Sequence, residues 1–150
     1  MKKTTLLLSL LPASPLAMAE TLDWWKPFSE INQGDTAWVM TSAILVLFMT
    51  IPGLALFYGG MARKKNVLST MMYSFSVAAL ISVLWIIAGY SLAFTPGNAF
   101  IGGVERFFLS GLGVDVAQEM ATIAPNAASV PEAVFMFFQM TFAIISVAII

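Results

Sequence analysis

Ala37–Tyr58 is a run of 22 residues without a charged side chain, and no other feature of the sequence limits the fold as tightly. At ~1.5 Å per residue a helix of that length reaches ~33 Å, enough to cross a ~30 Å hydrocarbon core with some tilt. In lipid the backbone must satisfy itself, which leaves helices and closed barrels. The run lacks a barrel strand's alternation, so it is read as a helix. One such helix could be buried in a soluble domain. Two more follow: Val67–Phe94, 28 residues and equally uncharged, and a stretch that begins near Glu132 and is still apolar at Ile150. Spans are expected near 37–60, 67–94 and 132–150, giving an all-α polytopic membrane bundle. Composition agrees, with 59% hydrophobic and 10% charged residues and a mean hydropathy of +0.89.

Met1–Ala19 reads as an address, with Lys2-Lys3 ahead of the apolar Leu6–Leu11 and a small-x-small pattern at Ala17-Met18-Ala19. It is expected to be a cleaved secretory signal, leaving 20–150 as one membrane domain. Its removal takes two of the 7 basic residues and none of the 8 acidic ones, so the mature segment is net negative. Arg63, Lys64 and Lys65 crowd the short Met61–Asn66 loop, and positive-inside bias puts that loop in the cytoplasm. The leader independently sends Glu20 outward, so the expected location is a bacterial inner membrane with the mature N-terminus outside. Trp24, Trp25 and Trp38 suit an aromatic belt at the outer interface. The connecting segment Phe100–Pro131 holds Glu105, Arg106, Asp115 and Glu119, with a short helical turn expected at Val104–Leu109 and Glu132 at the outer surface.

Within the first span Pro52-Gly53 is expected to bend the helix, because proline removes a donor and crowds the preceding turn. Ala55 and Gly59 share a face that admits a close neighbour, and Gly59-Gly60 is read chiefly as close packing at a helix end. Ser74, Ala78 and Ser82 form a comparable small-residue stripe in the second span.

With no Cys and no His, and with every carboxylate placed outside the spans, neither a catalytic acid–base pair nor a metal or cofactor site is expected. No basic patch beyond Arg63–Lys65 suggests nucleic acid. The chain is read as a non-enzyme. On the third span Phe135, Phe138, Gln139, Phe142 and Ser146 fall on one helical face. An aromatic face attracts a cation, and a ring deeper in a path can exclude hydrated ions. On spacing alone the same stripe reads first as packing between helices.

Four ordered blocks carry a family resemblance. They are Asp35–Trp38 with Leu47–Gly60, then Arg63–Ser69, then Gly89–Phe94, and finally Phe138–Ile144. Together they resemble the Amt/Mep/Rh ammonium transporters over roughly Gly34–Ile150. The resemblance implies the first three helices of an eleven-helix transporter fold that assembles as a homotrimer, with ammonium or methylammonium as substrate. It aligns Phe142 with an outer gating ring and Phe138 with an aromatic of the external vestibule, beside Gln139. It further implies NH4+ recruitment at the outer face and conduction as separated NH3 and proton, and it leaves room for a cytoplasmic regulatory protein. The paired pore histidines of the family have no counterpart here, and Ile150 lies mid-helix, so the expectation is an N-terminal fragment. A non-transporting interaction or sensory module built from the same helices is the alternative.

Overall fold

The computed structural model describes residues 24–150, so the expected leader lies outside the described residues. Three rods dominate: Gln33–Met61, Lys64–Phe94 and Glu132–Ile149. The first comprises α1 (Gln33–Phe48), a π-helical turn at Met49–Leu54, and α2 (Ala55–Met61). The second rises through a short 3-10 turn into α3 (Val67–Leu84), a second π-helical turn at Trp85–Gly89, and α4 (Tyr90–Phe94). The third is α5 (Glu132–Ile149). At 29 and 31 residues the first two rods are ~43 and ~46 Å long, well beyond the hydrocarbon core.

The first rod begins before the apolar run, at Gln33 instead of near Ala37, because a cap outweighs hydropathy there. Asn32 accepts from the amides of Gly34 at 2.8 Å and Asp35 at 3.1 Å, and Asp35 adds a favourable charge in the first turn. Pro52 lies inside the first π-helical turn, so the rod stays helical past a residue that cannot donate to an α ladder.

The rods form a fork. α2 packs on α3, and α5 packs against both α1 and α3. Ser129, just before α5, donates to Asp35 at 2.7 Å, and the Tyr58 hydroxyl donates to the Ile149 carbonyl at 3.3 Å. The third rod therefore runs parallel to the first and antiparallel to the second. Ala78, Met140 and Ile144 form the buried heart of the fork, flanked by Leu47, Ile51 and Ile81. Ser74 is buried in the same stripe as Ala78. Gly59 is buried too, and a Cβ there would come within 3.2 Å of Met71 Cγ, whereas one on Gly60 would meet nothing within 4 Å.

The connecting segment departs from the all-helical expectation. A three-stranded antiparallel sheet joins β1 (Trp25–Pro27), β2 (Val114–Asp115) and β3 (Met120–Thr122) in the order β1-β3-β2. Trp25 pairs with Thr122 and Val114 with Ala121. The helical turn is confined to Phe107–Leu109. The chain after α4 folds back on the helix end: Gly102 donates to the Leu92 carbonyl at 2.8 Å, and Ser91 Oγ donates to Gly103 O at 2.8 Å. A Cβ on Gly102 would sit 2.7–2.8 Å from three carbonyl oxygens, so only glycine fits this approach.

Candidate functional site

α5 carries the stripe read from the sequence, and the structure divides it between two environments. Phe135 turns into an aromatic cluster with Trp24, Tyr90 and Ala124, its ring edge-on to Phe94 at 5.0 Å. Phe138 and Phe142 instead meet each other, with centroids 5.0 Å apart and planes at 78°. Phe138 and Gln139 are half-buried, Phe142 is 42% exposed and Ser146 is exposed. Their neighbours Met140, Thr141 and Ile144 are buried in the fork, where Thr141 Oγ1 donates back to the Phe138 carbonyl at 2.7 Å. Phe142 thus stands on an open flank of α5, with the half-buried Phe138 against it.

Glu132 requires a correction. Expected at the outer surface where the third span begins, it does open the third rod but is 0% exposed. Arg106 Nε lies 3.1 Å from Glu132 Oε1, and the Tyr90 hydroxyl donates to the same oxygen at 3.0 Å. The guanidinium is held from its other sides. It lies 4.3 Å from the centroid of Trp24, and its Nη1 donates to the Ser110 carbonyl at 2.9 Å. The Arg106 backbone N–H donates to Ser91 Oγ at 3.1 Å. A buried charge is tolerated when it is paired and hydrogen-bonded. Here the two charges pair and Tyr90 hydrogen-bonds Oε1, while Arg106 Nε and Glu132 Oε2 are buried without a hydrogen-bond partner among the described residues. Trp24 accordingly leaves the interfacial belt for the interior, while Trp38 remains 72% exposed.

Among the described residues no group of three or more His, Cys, Asp or Glu side chains is arranged to hold a metal. What the arrangement offers is a pair of aromatic rings on a helix whose first residue is clamped by a cation and a phenol. Aromatic rings attract desolvated cations through their faces, and apolar constrictions reject hydrated ones.

The profile of the Ammonium Transporter Family matches residues 37–150. The chain belongs to that family. It is 51% identical over 120 residues to an ammonium transporter of Bacillus subtilis, covering 80% of this chain and 28% of that one. A putative ammonium transporter of Methanothermobacter thermautotrophicus is 40% identical over 120 residues, with the same coverage. Among solved structures, Mep2 of Candida albicans superposes with a TM-score of 0.66 at 30% identity, covering 80% of this chain and 25% of that one. The fold is thus a polytopic helical membrane fold, and this ammonium transporter family member is a multi-pass membrane protein. It spans about a quarter of the length of the relatives it matches.

In this family member Phe142, Phe138 and Gln139 lie along α5. Gly59 and Gly60 lie at the basic end, whereas Pro52 and Gly53 follow Ile51, which packs beside Met140 and Ile144. Sequence reasoning missed the Arg106–Glu132–Tyr90 cluster. Its one signal was that Arg106 is the sole basic residue after Lys65, set among four carboxylates, with nothing in the spacing to say which it pairs.

Proposed function

We propose that this chain contributes the outer gate of an ammonium transporter. NH4+ or methylammonium is recruited at the end bearing Glu132, where Phe138 and Gln139 face the approach. The Phe142 ring closes an apolar path beneath them, and NH3 and the proton cross separately. Phe138 and Phe142 stand about 9 and 15 Å along α5 from Glu132, the second near mid-bilayer. The observation that carries this reading is the edge-to-face pair in which Phe142 is left exposed on α5 while Met140, Thr141 and Ile144 are buried. Three rods do not enclose a pore, so the activity is proposed for the full-length protein containing this segment, acting as a homotrimer. Family membership and the transporter names of the relatives favour a transporter over an enzyme.

The proposed orientation puts the mature N-terminus outside a bacterial inner membrane after removal of Met1–Ala19, and Arg63–Lys65 in the cytoplasm. That basic turn is also where a regulatory protein would dock. In the full-length protein Phe142→Ala should change methylammonium uptake at least about tenfold, with membrane abundance unaltered. The isolated 150-residue chain in liposomes should show none above background. Unchanged uptake by the variant, or saturable uptake by the isolated chain, would overturn the proposal.

A further inference from the structure

We propose that Glu132 is a positioning residue for the ring pair: clamped by Arg106 and Tyr90, it fixes the rotation and depth at which α5 presents Phe138 and Phe142. The inference rests on reading that pair as the gate. A helix is a stiff rod, so holding its first residue from two directions sets where residues further along it point. The holders come from different parts of the chain, Tyr90 from α4 and Arg106 from the linker. Each has other contacts of its own. Tyr90 is 0% exposed in the aromatic cluster, and Arg106 also meets Trp24, Ser110 and Ser91.

The remaining grip on α5 is mostly apolar, through Met140 and Ile144 against Ala78, and apolar contact is non-directional. Such contact tolerates a small slide or twist that the Tyr90 hydrogen bond to Glu132, with the Arg106 charge beside it, resists. Two further side-chain bonds reach α5 from the second and first rods, Trp85 Nε1 to Met136 O and Tyr58 to Ile149 O. Both are 3.3 Å long and end on neutral carbonyls. The linker is also held in an uncommon shape beside the clamp. Phe108 and Leu109, just after Arg106, sit at φ 53° and 56°, a left-handed conformation that persists only where surroundings enforce it. A buried ion pair is a poor device for stability alone, since apolar side chains of similar volume often do as well. The directionality of the Tyr90 bond to Glu132 is what an apolar contact would lack.

The test uses the full-length protein. Within 1–150 there is no cysteine, so a thiol at Phe142→Cys is introduced without background from this segment. Its labelling rate by a small, membrane-impermeant thiosulfonate is compared in the parent and in Tyr90→Phe, which keeps the ring and removes only the hydroxyl. Glu132→Gln serves as the stronger variant. If the clamp sets the ring position, Tyr90→Phe should change the labelling rate about threefold or more, because small displacements of a positioned group have large kinetic effects. Methylammonium uptake should also be non-additive between Tyr90→Phe and Phe142→Ala, the first having little effect once the ring is gone. An unchanged labelling rate overturns the inference whatever uptake does, as does strict additivity. A changed labelling rate with parental uptake by Phe142→Ala would defeat the gate reading and leave the clamp's hold on α5 standing.

Discussion

At the basic end, Lys64–Asn66 turns the first rod into the second, with Asn66 donating to Arg63 O at 2.7 Å and with Arg63, Lys64 and Lys65 all exposed. At the opposite end the passage from the second rod to the third runs through a small sheet, a glycine fold-back, an aromatic cluster and a buried ion pair. The difference follows from what each connection must deliver. Adjacent antiparallel helices need only a tight turn, because the chain that leaves one is already beside the other. α5 must instead cross from the end of the second rod to land between both earlier rods. One connection joins; the other aims.

The largest effect that could break this contrast is expected at Arg106. Arg106→Ala would leave Glu132 as a buried carboxylate without its cation, a loss of about 3–5 kcal/mol by denaturant unfolding of the full-length protein. A loss below about 1 kcal/mol would mean that the linker aims nothing. Next in size is the packing beside the basic turn. Gly59→Leu forces a side chain against Met71 and should cost about 1–3 kcal/mol, while Gly60→Leu meets open space and should be tolerated. Equal abundance of the two variants in membranes would count against that packing. The smallest effect is expected in the turn itself. Lys64→Cys should shift stability by less than about 0.5 kcal/mol and be labelled only from the cytoplasmic side. Labelling from outside intact cells would reverse the proposed orientation.

The spans were legible because a membrane imposes a length and a polarity that a sequence displays directly. The start of the first rod at Gln33 was legible in principle through Asn32, whose capping oxygen carries helix past the edge of the apolar run. The sheet was not. Its strands are two or three residues each and are held by partners far away in sequence, Trp25 by Thr122 for example. Such pairs carry no local period. Glu132 was misplaced for a related reason: a carboxylate at the head of an apolar helix reads as a surface residue until its cation is located, and Arg106 is reached only through the folded linker. Phe138 and Phe142 were picked out by helical spacing and given roles by the family motif, and the exposure of Phe142 came only with the fork.

Met49–Leu54 and Trp85–Gly89 each take up more chain per turn than the α-helix on either side. Each acts like one residue threaded into a screw, throwing the side chains beyond it about 100° out of phase with those before it. In the second rod Ser74 and Ala78 are buried before the shift, and Tyr90 and Ser91 are buried after it, toward Glu132 and the linker. By that shift Tyr90 returns to within about 20° of Ala78 around the axis, where an unbroken α-helix would leave it about 120° away. A single helix thereby keeps one face on α5 from Ile144 up to Glu132 without breaking its backbone ladder, a break that hydrocarbon surroundings would leave unpaired.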